Sequence, residues 1–215
     1  MTAKATVIDY DCGNLLSVRR ALEHCGGEVE ITGEPAKIKD AERLVLPGVG
    51  SFGNAMEELQ KLGLVEQIRE FAASGRPFLG ICVGMQLMFD SSDEFGMHDG
   101  LGMIPGRVRT VPRHGVDGKP HKVPHIGWSK LSPAAASQTW DGTILDGLPT
   151  PAYCYFVHSF AAEPADEAHR LSDCHYDGQR LAATVRRDNL WGCQFHPEKS
   201  GETGLHILRN FLARD

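Results

Sequence analysis

The sequence predicts an α/β fold, an open and mostly parallel sheet flanked by helices that runs into a β-rich C-terminal half. Three observations predict it. Short apolar runs alternate with helically periodic segments through the first part of the chain, as parallel strands and their crossovers do. Residues 77–86, Pro-Phe-Leu-Gly-Ile-Cys-Val-Gly-Met-Gln, set an apolar strand directly before a glycine-flanked turn and the start of a helix. From about Gly106 the pattern changes to short strands punctuated by Gly and Pro.

Taken in order, Ala5 to Asp9 reads as a first strand, and Leu15 to Cys25 as a helix stopped by Gly26-Gly27. Glu28 to Thr32 is a second strand and Arg43 to Leu46 a short apolar third. Ala55 to Ala73 carries apolar residues at Met56, Leu59, Leu62, Leu64, Ile68 and Phe71 and is interrupted at Gly63, which gives two helices. Pro77 to Ile81 is the next strand, and Met85 to Phe89 opens a helical pattern. Pro112 to Lys122 and Pro133 to Thr143 are polar loops, expected to be mobile. Leu205, Leu208, Phe211 and Leu212 give the last helix its apolar face. No linker or internal repeat interrupts the 215 residues, so a single domain, 1–215, is expected.

The chemistry concentrates at two places. Gly80-Ile81-Cys82-Val83-Gly84 has the spacing of a nucleophile elbow with sulfur in place of oxygen. A sharp strand-to-helix turn brings the backbone against its neighbours, and a Cβ at either flank would clash. Cys82 then stands at a helix N-terminus, where unpaired N–H groups and the helix dipole favour thiolate over thiol. The bland alternative is a buried, inert cysteine. The second place is Leu190 to Phe195, an alternating strand, followed by His196-Pro197-Glu198. Pro197 cannot continue a ladder, so His196 falls at a strand end, where open α/β sheets present functional groups. A cysteine nucleophile needs a base and the base an orienter, roles that His196 and Glu198 fill.

With these residues in hand, the chain resembles the class I glutamine amidotransferase family. Cys82 in Gly-Ile-Cys-Val-Gly-Met-Gln and His196-Pro-Glu198 carry the likeness. Ile8 to Leu15, Pro47 to Gly53, Val123 to Trp128, Tyr155 to Ser159 and Pro197 to Ser200 narrow it to one branch, the glutaminase subunits of imidazole glycerol phosphate synthase in histidine biosynthesis. The likeness extends from about Ile8 to Leu212. It implies a flavodoxin-like sheet, glutamine as substrate, no cofactor, and a heterodimer with a (β/α)8-barrel cyclase that receives the ammonia. It implies an oxyanion hole built from the Val83 N–H and the Val49–Gly50 peptide, with Gly50 also against the substrate. Gln86 and Glu94 match positions that hold the amino-acid end of glutamine, and Ser159 and Phe160 add backbone contacts. Asn14, Trp128, Tyr155 and Lys199 match positions at or near the partner interface. The chain departs from the branch at Asp11-Cys12, where a small or Met-containing pair is usual.

Several other readings carry less weight. Gly48-Val49-Gly50-Ser51-Phe52-Gly53 is literally G-x-G-x-x-G, but no acidic residue ends the following strand as a dinucleotide site requires. Cys193 with His196, Cys154 with His158 and His121 with His125 are partial zinc spacings, yet strand alternation separates most of these side chains and no metal site is expected. A glutaminase serving pyridoxal phosphate, guanylate or anthranilate synthesis conflicts with Asp9-Tyr10 and Glu198-Lys199-Ser200. A redox sensor using Cys82 would not require Glu198 or Gln86. The net charge of −6 and the absence of a basic patch argue against nucleic acid as a partner. No run of eighteen apolar residues is present, which argues against a membrane span. Six scattered cysteines and an N-terminus without a signal-peptide core point to the cytoplasm.

Overall fold

The structure, a computed structural model, describes residues 2–135 and 138–214. Its first half alternates β1 (Lys4–Ile8), α1 (Leu15–His24), β2 (Glu28–Thr32), α2 (Pro35–Asp40), β3 (Leu44–Gly48), α3 (Phe52–Lys61), α4 (Val65–Ala73), β4 (Phe78–Cys82) and α5 (Val83–Gln86). Strands β5 (Phe89–Ser92), β6 (His98–Asp99), β7 (Ile104–Thr110), β8 (His125–Lys130), β9 (Ser132–Pro133), β10 (Tyr153–His158) and β11 (Phe160–Pro164) follow. The chain closes with β12 (Arg170–Tyr176), β13 (Gln179–Arg187), β14 (Leu190–Cys193) and α6 (Gly201–Leu212).

The main sheet has the order β2-β1-β3-β4-β14-β13-β12-β9, with β2 and β9 at its edges. The five strands from β2 to β14 are parallel to their neighbours, and β13, β12 and β9 extend the sheet antiparallel. The parallel strands β3 and β4 are buried along their whole length, as strands covered on both faces must be. Helix α1 packs on α6, and α2 on α4. A four-stranded sheet, β11-β7-β5-β6, and a two-stranded one, β10-β8, stand beside the main sheet. The expected α/β class with a parallel sheet and a β-rich second half is what the chain adopts. Among the described residues, no helix is long and apolar enough to cross a membrane.

Several expectations need correction. Helix α2 lies between the second and third strands, where none was expected; Pro35 opens it and its buried Ile38 is a single anchor, too little for a periodic signal. The helix expected to grow from Met85 to Phe89 stops after one turn, at Gln86. Leu87, Met88 and Phe89 instead give their carbonyls to the backbone N–H groups of Leu101, Met103 and Gly102, and Phe89 enters β5. Extended pairing with non-local partners replaces helical bonds there, so the β-rich region begins at Phe89 rather than near Gly106. The single turn also leaves less helix dipole at Cys82 than a full helix would supply. In α6, Leu205 is only partly buried, and Gly204 and Ile207 complete the buried face. The loop from Pro112 to Lys122 is pinned to the β12–β13 hairpin: His121 Nδ1 lies 3.1 Å from Asp177 Oδ2, and Tyr176 donates to Lys122 O at 2.7 Å. In the second polar loop, residues 136 and 137 lie outside the described residues.

Candidate active site

The site forms beyond the carboxyl ends of β3, β4 and β14, where an open α/β sheet exposes a crevice. Register brings the ends together, because Gly48 pairs with Cys82 and Cys193 with Ile81. Cys82 has φ 55° and ψ −112°, a conformation that costs a side-chain-bearing residue roughly 1–3 kcal/mol. The surroundings hold it there. A Cβ on Gly84 would come 1.9 Å from Leu46 O, and one on Gly80 within 2.8 Å of Gly84 O. Gly48 is equally constrained, since its Cβ would lie 2.6 Å from Gly84 N and 2.9 Å from the Tyr10 hydroxyl. Glycine at these positions lets three backbone segments touch, as the sequence predicts.

His196 sits just past β14. Its N–H bonds to Tyr155 O at 3.0 Å, and its carbonyl accepts from Ser200 Oγ at 2.7 Å, so the backbone is fixed on both sides. Pro197 begins a 3-10 turn that swings Glu198 back, and Nδ1 of His196 lies 2.9 Å from Glu198 Oε1. Both side chains are almost fully buried. Because Nδ1 faces the carboxylate, Nε2 is the nitrogen available to sulfur. Burial pulls the imidazole down, but hydrogen bonding with the Cys82 and Glu198 side chains outweighs it, and His196 is raised to about 9. It is therefore an imidazolium at neutral pH.

A cavity of about 270 Å³ opens in front of these groups. Val49, Gly50, Cys82, Val83 and His196 line it. Gln86, Glu94, Ser159 and Phe160 complete the lining, so the structure gathers the residues singled out from distant parts of the chain. Gln86 is buried, and its Nε2 donates to Phe160 O at 2.9 Å and to Gln194 Oε1 at 3.1 Å. Both amide hydrogens are thus used, and Oε1 is the atom free to accept from a ligand. Glu94 is also buried, and its Oε2 accepts from Phe52 N at 2.7 Å, capping α3. Burial raises its pKa, opposed by that N–H and by His98. A carboxylate already occupying the α3 N-terminus also disfavours phosphate there, which removes the dinucleotide reading of Gly48 to Gly53.

Sequence reasoning left four residues unassigned. The β8 and β10 motifs prove to be cross-strand partners, pairing His125 with His158 and Trp128 with Tyr155. His158 Nδ1 lies 2.8 Å from Phe160 O, His158 Nε2 lies 2.9 Å from His125 Nδ1, and His125 Nε2 lies 2.9 Å from Ser129 Oγ. A carbonyl only accepts, so His158 donates from Nδ1, accepts at Nε2 from His125, and His125 accepts from the Ser129 hydroxyl. Burial pulls His125 down to about 4 and His158 to about 3. Gln194 is buried beside Cys82, with Nε2 at 3.8 Å from Sγ. Tyr10, also buried, donates to Pro47 O at 2.6 Å, and burial raises its pKa. The available signal for Gln194 was its place in the expected strand just before His196; the strand itself ends at Cys193.

Of the residues expected near a partner, Trp128 is 56% exposed and meets Tyr155 edge-on at 6.1 Å. Ile126 shares its outward face, an apolar pair where a solvated strand face would be polar. Lys199 is exposed, and Asn14, also exposed, accepts from Ser17 N as the cap of α1. Asp11 has φ 60°, a conformation that Asp tolerates better than most residues, so its backbone survives the departure from a small residue. Among the described residues, no three His, Cys, Asp or Glu side chains converge to hold a metal.

The chain is similar to known proteins over most or all of their length. The chain is 50% identical to the imidazole glycerol phosphate synthase subunit HisH 1 of Legionella pneumophila (strain Lens), over 98% of this chain and 99% of that protein. It is 45% identical to the HisH subunit of Sulfurimonas denitrificans, over 95% of each. Among solved structures, PurLQS from Thermotoga maritima superposes with a TM-score of 0.70 at 21% identity, covering 99% of this chain and 98% of that one. A glutamine amidotransferase from the same organism gives 0.60 at 15% identity, covering 94% of this chain and 79% of that one. These two carry the fold alone. The family model for glutamine amidotransferase class-I matches residues 6–214, and the chain belongs to that family.

Proposed function

We infer that this chain is the glutaminase subunit of an imidazole glycerol phosphate synthase, acting as one domain in the cytoplasm. It hydrolyses glutamine to glutamate and ammonia, and passes the ammonia to a cyclase subunit that makes imidazole glycerol phosphate and aminoimidazole carboxamide ribotide. The observation that carries the chemistry is the buried His196–Glu198 pair beside a strained Cys82 at the mouth of one cavity. The full-length likeness to HisH subunits supports the pathway and the partner.

Each group has a role in the proposed reaction. Gln86 Oε1 and Glu94 accept from the α-ammonium of glutamine, and Ser159 and Phe160 add backbone contacts. Cys82 Sγ, whose proton already resides on His196, attacks the side-chain carboxamide as a thiolate. The Val83 N–H and the Val49–Gly50 peptide hold the developing oxyanion, with Gly50 also against the substrate. His196, already protonated, gives its proton to the leaving ammonia, then activates the water that cleaves the thioester. Glu198 fixes the ring and stabilises its charged form.

The partner is a (β/α)8-barrel cyclase, joined in a heterodimer through a face that includes Trp128, Tyr155, Asn14 and Lys199. An exposed tryptophan against a tyrosine is the type of anchor that carries binding energy in an interface. The test is glutamate release by the chain alone and with the cyclase and its phosphoribulosyl substrate. Strong activity only in the complex is expected. Equal activity in both conditions would point to a different partner, and none in either would refute the glutaminase reading.

A further inference from the structure

The reaction described above has no use for Gln194, yet this side chain touches its nucleophile. Gln194 is fully buried, one position beyond β14, and its backbone N–H is fixed to Ala183 O at 2.9 Å. Two positions before it in β14, Gly192 packs so closely on the helix after Cys82 that a Cβ there would meet Met85 at 2.4 Å. The chain leaving β14 therefore lies against the elbow.

The orientation of two amides follows from one fixed point. Phe160 O only accepts, so the Gln86 atom 2.9 Å away is the nitrogen. The second hydrogen of that nitrogen points at Gln194, which must meet it with Oε1, at 3.1 Å. The Gln194 nitrogen is thereby turned to Cys82 Sγ, at 3.8 Å. Flipping Gln194 would set N–H against N–H, and flipping Gln86 would set oxygen against carbonyl oxygen. A donor at sulfur is therefore imposed from Phe160, through two side chains.

We propose that Gln194 is a positioning residue for the glutaminase reaction: its amide donates to Cys82 Sγ, aiming the sulfur and favouring its anionic form, while its oxygen locks Gln86 so that Gln86 Oε1 faces the substrate. This rests on the reading of Cys82 as nucleophile and Gln86 as the hold on the amino-acid end. A hydrogen bond to the charged form of a group favours that form. The ionisable groups around the sulfur are His196 with Glu198 behind it, the Tyr10 phenol from the end of β1, and His158 and Glu94 across the cavity. Gln194 does not titrate, so replacing it moves the Cys82 ionisation without adding or removing a titrating neighbour.

The experiment measures alkylation of Cys82 by iodoacetamide against pH in the full chain, read on the Cys82 peptide by mass spectrometry, for wild type, Gln194→Met and Gln194→Asn. Methionine keeps the length without donor or acceptor, and asparagine keeps the amide but shortens its reach. In both variants the alkylation midpoint is expected to rise by about one pH unit. In the complex with the cyclase, the glutamine KM is expected to rise about tenfold as Gln86 loses its lock. If Gln194→Met does not fold, Gln194→Asn gives the same readout. A midpoint unchanged in a variant that melts like wild type overturns the proposal. If Cys82→Ala retains glutamine turnover, the reading of the reaction falls, while the alkylation midpoint still tests the hydrogen bond to sulfur.

Discussion

Two buried histidines line the same cavity, and their ionisation is shifted in opposite directions. His196, past the end of β14, is raised to about 9, and His158, at the end of β10, is pulled down to about 3. Burial acts on both in the same direction. For His158 it prevails, because its neighbours are an amide carbonyl, which opposes it only partly, and the rings of His125 and His196, which reinforce it. For His196 the sulfur and the Glu198 carboxylate outweigh it. In this cavity neighbours rather than depth decide charge. The His196 side is a charged wall, and the His158 side, backed by His125, a neutral one.

Four substitutions break or sharpen that contrast. The largest effect is expected from Cys82→Ala, which removes the partner of the charged histidine: glutamine-dependent turnover falls by about 10⁴-fold or more. Synthesis from added ammonia by the complex stays intact. Loss of both activities would assign Cys82 to the fold or to docking.

Glu198→Gln comes next. It removes the carboxylate that holds the His196 proton, and kcat is expected to drop by roughly 10²–10⁴-fold. In wild type, the step that protonates ammonia weakens as pH rises through about 9, where His196 loses its proton. In the variant that alkaline limb moves to lower pH; a limb that stays in place would exclude Glu198 as its origin.

The neutral wall is tested by acid. The folded values of His125 and His158, about 4 and about 3, lie below an unfolded histidine near 6.5. The unfolded chain therefore takes up protons first as pH falls. The stability due to these two groups is complete above about pH 6.5 and drains as pH falls towards their folded values, by on the order of a few kcal/mol. His158→Gln keeps a donor for Phe160 O without the titrating ring, and should flatten urea midpoints measured between about pH 6 and 4. A slope like that of wild type would place the acid sensitivity elsewhere. The smallest effect is expected from Tyr10→Phe, which deletes one buried hydrogen bond to Pro47 O and about 1 kcal/mol of stability. A melting point about 2–4 °C lower is the readout, and an unchanged one would make the contact dispensable.

The charged wall was legible in the sequence, and the neutral wall much less so. Glycines flanking Cys82, and a proline after His196, state local geometry directly, so the elbow and the strand end could be read from a few residues. The rest of the cavity is assembled from segments far apart in the chain. Gln86 and Glu94 were found only through resemblance, His125 and His158 were weighed only as partial zinc spacings, and Gln194 fell within an expected strand without a role. Their function depends on which strand lies beside which, and alternation alone does not reveal that. The helix expected after Met85 failed for the same reason, since pairing with residues 101–104 overrode a local helical pattern. Helix α2 was missed because one buried isoleucine sets no period.

The order of the main sheet also bears on how the chain behaves in a crowded solution. Its two edges end in ways that resist extension by a neighbour. β2 turns exposed Glu28 and Glu30 outward, and β9 has two residues, one of them Pro133, which has no N–H to offer. A copy adding to β2 would have to accommodate Glu28 and the Glu30–Lys37 ion pair, and at β9 would find almost no ladder to join. The sheet that aligns the reacting groups is thereby hard to extend by strand addition at either edge.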